Sequence, residues 1–128
     1  MLSAEDGFRR LTIGDPGLVA SVAGPEGRPL DVQYLDGRTE ALLQIGALIA
    51  LDAPPSSYRP VVEAAQRAGA RLEELLAVLV AVAGTVGSAR IVSAAPKIAL
   101  AAGYDVEAAL EGINPVDRGA DPPRVSAA

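Results

Sequence analysis

Any chemistry in this chain falls to carboxylates, ammonium and guanidinium groups, hydroxyls and phenols, because its 128 residues include neither His nor Cys. Without cysteine there is no thiolate nucleophile, no sulfur to cycle through a sulfenic acid and no disulfide framework. Without histidine the commonest general base and metal ligand are missing, and Ser57 has nothing to activate it as a triad nucleophile. No Gly-rich Lys motif forms a phosphate loop. The Asp and Glu residues show no cluster at ligand spacing, so no metal site is expected. What remains are pairs and rows at helical intervals. Glu40 and Gln44 are four apart and share a face, as do Arg59, Glu63 and Arg67. Arg59 and Glu63 read most simply as an exposed ion pair. Arg90 lies among Ala89, Ile91 and Val92, and a guanidinium buried in such company demands a carboxylate partner. Glu40, a bound substrate or an acid of another subunit would each serve.

These groups need a frame, and the sequence around Leu72–Gly87 supplies its most apolar part. From Leu75 to Ala83 every residue is apolar, which places a helix in mid-core or against another subunit. Val78, Val80 and Val82 alternate as in a strand, but the Leu and Ala content and the leading Glu73-Glu74 pair favour a helix. The run is too short for a membrane span, which takes roughly 20 residues. The other helices are expected to cover this one.

Along the chain, Ser3–Ile13 is weakly amphipathic, with Phe8, Leu11 and Thr12 able to face inward. Asp15-Pro16 opens a short helix containing Leu18, Val19 and Val22, which Gly24-Pro25 stops. After a loop over 24–35, Asp36 caps a helix to about Leu51 that is apolar around most of its circumference. Prolines 54 and 55 break the chain, and either Asp52 or Ser56 caps the helix that follows. Gly69 ends that helix in a left-handed cap, with Val61, Val62 and Ala65 turned inward. Another helix runs from about Ser88 to Ala102, kinked at Pro96 and ended by Gly103. Asp105 caps a last short one. The reading is a single all-α domain over residues 1–113, followed by a flexible tail over 114–128.

Half of the residues are apolar, yet aromatics amount to one Phe and three Tyr. The core must therefore be Leu, Ile, Val and Ala, with closely approaching helices. A globule of this size buries only about two-thirds of its unfolded surface, so self-association is expected to hide the rest. The net charge of −5 argues against a nucleic-acid partner. The stretch MLSAEDGFRR has no apolar signal-peptide core, and no membrane association is expected; the default location is cytoplasmic.

LDGRTEALLQIGALIAL at Leu35–Leu51, with VVEAAQRAGARLEELLAVLVAVAGTVGSARIVSA at Val61–Ala94, resembles the carboxymuconolactone decarboxylase family, which includes the AhpD-like alkylhydroperoxidases. The match rests on three features. They are a Leu-Asp helix start with an acid at Glu40, the A-A-x-x-A-G turn at Ala64–Gly69 followed by two glutamates, and Gly87-Ser88-Ala89-Arg90 with Ser93. The resemblance implies an AhpD-like domain of about six helices, assembled as a trimer or hexamer. It also implies a site near the Pro-rich break, where peroxidase members carry Cys-x-x-Cys and a nearby His. Counting back from Gly69 puts Pro54, Ser57 and Val61 at those positions; counting forward from Glu40 puts Asp52, Pro55 and Arg59 there. Neither count meets a thiol or an imidazole, so a thiol peroxidase is excluded. Two functions then stay open. One is a cofactor-independent lyase or isomerase on a carboxylated or lactone-like small molecule. There Glu40 would be the acid–base group, and Gln44, Ser57, Tyr58, Arg59 and Arg90 would bind substrate. The other is a non-catalytic oligomer of the same fold that binds a small molecule or serves as a scaffold.

Overall fold

A computed structural model describes residues 2–24, 35–104 and 106–111. Among them there are helices and no strand: α1 (Ala4–Thr12), α2 (Pro16–Ala23), α3 (Gly37–Leu51), α4 (Pro55–Arg67), α5 (Leu72–Val86), α6 (Ser88–Ala101) and α7 (Val106–Glu111). The all-α expectation holds for these residues. The expected Asp105 cap and the tail over 114–128 lie outside them. Contacts divide the chain into two compact units, Met1–Asp36 and Gly37–Ala128.

The first unit pairs α1 with α2. The Ser3 side chain caps α1 by accepting from the Asp6 N–H, and Glu5 and Asp6 at one end face Arg9 and Arg10 at the other, as the helix dipole favours. Asp15 holds the turn. One carboxylate oxygen accepts from the N–H groups of Gly17 and Leu18, and the other accepts from Arg10 Nε at 2.8 Å. These bonds, the one from Arg10 foremost, keep the Asp15 carboxyl below its ordinary pKa. Leu18 is the buried residue of this pair. Phe8 and Leu11, expected to face inward, are exposed, because nothing within the unit covers that side of α1.

In the second unit α3 packs against α4, α5 and α6, while α4 and α5 each also pack against α6. Ile45 and Ile49 of α3 meet Tyr58, Val62 and Ala65 of α4, Leu75 and Leu79 of α5, and Ala94 and Ile98 of α6. The hub is therefore α3, not the more apolar α5. Only the strip Leu75–Val78–Leu79–Val82–Val86 of α5 faces the core, whereas Leu76 is 60% and Val80 70% exposed. An ion pair from Arg38 to Glu74, at 2.9 Å, ties the start of α3 to that of α5. Glu74 also reaches back to accept from the Arg71 N–H, closing the first turn of α5.

Pro60 and Pro96 both lie inside helices. Both are exposed, so the carbonyls their missing N–H groups leave unpaired can bond water. Pro54 and Pro55 take the cap and first position of α4, where proline is tolerated. Neither Asp52 nor Ser56 is the cap.

Candidate functional site

Four helices end in the same way. The residue after the cap turns left-handed, its N–H and the next donate back into the last turn, and the chain reverses. After α1, α4 and α6 that residue is Gly14, Gly69 or Gly103, with φ between +69° and +98°. After α3 it is Asp52, at φ +52°, with Asp52 N–H donating to the Ile49 carbonyl and Ala53 N–H to that of Leu48. Asp tolerates this conformation better than most side chains, but glycine adopts it free of steric cost. A side chain kept at such a position points to a task for the side chain.

The task is visible across the unit. Ser93 Oγ donates to Asp52 Oδ1 at 2.9 Å, and Lys97 Nζ donates to the same oxygen at 3.4 Å and to the Ala53 carbonyl at 2.8 Å. Ser93 and Lys97 are one helical turn apart on α6, so both reach the α3–α4 turn. The Ser93 hydrogen bond, then the Lys97 charge, hold the Asp52 carboxyl below its ordinary pKa. Tyr58 lies nearby at the start of α4, fully buried, its hydroxyl without a partner among the described residues. Burial, with a smaller contribution from the Asp52 charge, pushes the phenol pKa up and keeps it protonated.

Between α4 and α6, beside this turn, is a cavity of about 300 Å³ lined by Pro55, Ser56, Arg59, Pro60, Lys97 and Leu100. Arg59 and Lys97 are its ionisable groups, and no acid lines it. A second recess of about 540 Å³ runs between α5 and α6 and is almost wholly apolar, with Leu72, Leu76, Ala95 and Tyr104 among its walls.

Of the residues singled out in the sequence, Arg59 lines the first cavity. Ser57 is half-buried in the first turn of α4, and Tyr58 is a core residue whose ring packs with Ile45 and Val62 in one cluster. Glu40 and Gln44 are exposed on α3. Arg90 is exposed too, a correction to its expected burial: it stands at the open N-terminal turn of α6, where its apolar sequence neighbours do not enclose it. Neither Glu40 nor Arg90 lines either cavity. The expected ion pair of Arg59 with Glu63 is not formed, and both side chains are exposed.

Lys97 escaped the sequence reading. The signal was its spacing from Ser93, which puts a hydroxyl and an ammonium on one face of an otherwise apolar helix. Among the described residues no three Asp or Glu side chains come together as a metal site, and no helix is long and apolar enough to cross a membrane. No family model, curated protein or solved structure matches this chain.

Proposed function

We propose that this protein is a helical small-molecule-binding module whose ligand is a small carboxylate held between Arg59 and Lys97. The observation that carries the reading is the lining of the cavity between α4 and α6. In a chain with 16 acids and 11 bases, the described residues put two cations and no acid there. Asp52 engages one side of the Lys97 ammonium, while Arg59 has no carboxylate partner among the described residues. Pro55, Pro60 and Leu100 provide apolar walls for a short aliphatic body, and about 300 Å³ suits a ligand at the small end of the usual range. Binding is preferred to turnover because Ser93 and Lys97 hold the Asp52 carboxyl below its ordinary pKa, which leaves it no proton to give at neutral pH and makes it a weak base.

Calorimetric titration with acetate, butyrate and succinate tests this. Binding is expected to weaken with added salt, and to fall at least about tenfold in Lys97→Met and in Arg59→Gln, the scale of one lost charge-assisted hydrogen bond. Absence of heat at millimolar ligand, or unchanged affinity in both variants, would refute it.

The lyase or isomerase reading is second. It is favoured by one observation: Asp52, which one of the two counts from the carboxymuconolactone decarboxylase resemblance puts at a cysteine position, accepts a hydrogen bond from Ser93, which the resemblance marks as a polar site position. On that reading the ligand is also the substrate and Glu40 the acid–base group.

A further inference from the structure

We infer that the outer face of α5 is an isologous interface for a second copy of this chain, the two α5 helices crossing antiparallel about a two-fold axis near Val78. The face is a row at four-residue spacing, Leu72, Leu76, Val80 and Gly84, all exposed, with exposed Ala77 and Ala81 beside it. From Leu75 to Gly84 there is no polar side chain; the flanking row ends in Glu73 and Thr85, and in the antiparallel register the two Glu73 carboxylates stand at opposite ends of the pair, apart from one another.

Gly84 is the informative member. Glycine inside a helix is unfavourable relative to alanine, and its usual justification is a neighbour too close for a Cβ. Here a Cβ at Gly84 would meet nothing within 4 Å. Packing among the described residues therefore leaves this glycine unexplained, whereas a second helix crossing there explains it. In the antiparallel register Leu72 of one copy lies over Gly84 of the other, and Leu76 opposes Val80, so each large side chain meets a smaller one. Rows at four-residue spacing are the ridges that interlock in the commonest helix crossing, and a face that matches itself in reverse is what a two-fold interface requires.

Leu72 is 47%, Leu76 60% and Val80 70% exposed, the first two also bordering the recess between α5 and α6. With the flanking small residues, complete covering of the face would bury on the order of 500 Å² per copy, or about 1,000 Å² for a pair, the size of a weak, concentration-dependent dimer. A partner of different sequence would need its own complement to Gly84; a second copy carries it in Leu72.

Sedimentation equilibrium on the full chain across about 1–100 µM, with circular dichroism alongside, tests the inference. The chain mass is 13.0 kDa, and the expected species is its dimer. Val80→Asp is expected to weaken association at least about a hundredfold while leaving the helical signal intact. Gly84→Leu gives an independent arm: it fills open space in the subunit, so melting of the dissociated chain is unchanged or raised while dimerisation is lost. Ala77→Cys, near the axis, introduces the only cysteine and is expected to cross-link copies under mild oxidation. A monomer at 100 µM, a Val80→Asp protein that keeps the wild-type mass, or a Gly84→Leu protein that dimerises normally would overturn the interface. A trimeric wild-type mass would overturn its two-fold geometry, since a three-membered ring has no isologous contact.

Discussion

Helices α3 and α5 are 15 residues each and both predominantly apolar, α5 the more so, yet the fold uses them differently. α3 is packed by α4, α5 and α6, with Ile45 and Ile49 wholly removed from solvent. α5 has α3 and α6 on one side and leaves Leu76 and Val80 in the open. An apolar run identifies a helix with more than one partner. It does not say whether the partners are in the same chain. α3 has three partners within its own unit and still leaves Leu43 and Leu51 exposed at its margin, whereas α5 supplies one face to the core and leaves a continuous row, Leu72, Leu76 and Val80, in the open.

The sharpest way to break this comparison is to put one carboxylate into each helix. Ile45→Asp should prevent folding, since an unpaired buried charge costs several kcal/mol, about the whole stability of a small domain. Leu79→Asp, on the inner side of α5 at 6% exposure, should come close to that. Leu76→Asp, one helical step away on the outer side, should cost the isolated subunit under about 1 kcal/mol. Thermal melts followed by circular dichroism separate the three, and equal loss at positions 45 and 76 would erase the distinction between the helices.

The C-terminal ends of the two helices differ as well. α5 ends at Gly87, without a titrating side chain, whereas α3 ends at Asp52. Because the folded pKa of Asp52 is depressed, its contribution is fully present above the ordinary carboxylate value of about 3.9 and is lost as pH falls through the lower folded value. Asp52→Asn keeps a residue that tolerates the left-handed turn but removes the charge. It should melt below the wild type at pH 7, and the gap should close as the solution is acidified below about pH 4. A gap that widens with acid would mean that the charge is not what Ser93 and Lys97 hold.

Smaller effects sharpen the account of the core and of the surface. Tyr58→Phe removes a buried hydroxyl that has no partner among the described residues, so it should be neutral or stabilise by up to about 1 kcal/mol. Measurable destabilisation would reveal a bond to that oxygen. Glu40→Gln should be smallest, within the roughly 0.3–1 kcal/mol of a first-turn acid on the helix dipole, and without effect on ligand binding. Loss of turnover in that variant, were a reaction found, would move the protein to the second reading.

Much of the frame was legible because helix ends are written locally. Asp15-Pro16, Gly24, Gly69 and Gly103 mark ends that the structure places where the sequence put them. The end of α3 at Leu51 was legible from the Pro-rich break, but the left-handed turn at Asp52 was not, since its reason lies 41 and 45 positions away at Ser93 and Lys97. Which of two apolar helices becomes the hub was equally hidden. Periodicity locates a buried stripe only where polar residues mark the other side, and neither α3 nor α5 offers enough of them. Arg59, singled out by its place next to the Pro-rich break, does line the cavity between α4 and α6. Arg90 was misjudged because apolar neighbours in sequence are not neighbours in space. Tyr58 was taken for a ligand contact because a phenol looks reactive, while its ring was needed to fill a core poor in other aromatics.

The most direct test of the proposed function is a crystal structure grown with succinate. The account predicts a carboxylate in the cavity between α4 and α6, within hydrogen-bond distance of both Lys97 Nζ and the Arg59 guanidinium, with the aliphatic part against Pro55, Pro60 and Leu100. Succinate beside Glu40, succinate in the apolar recess between α5 and α6, or a cavity that stays empty at saturating ligand would contradict it.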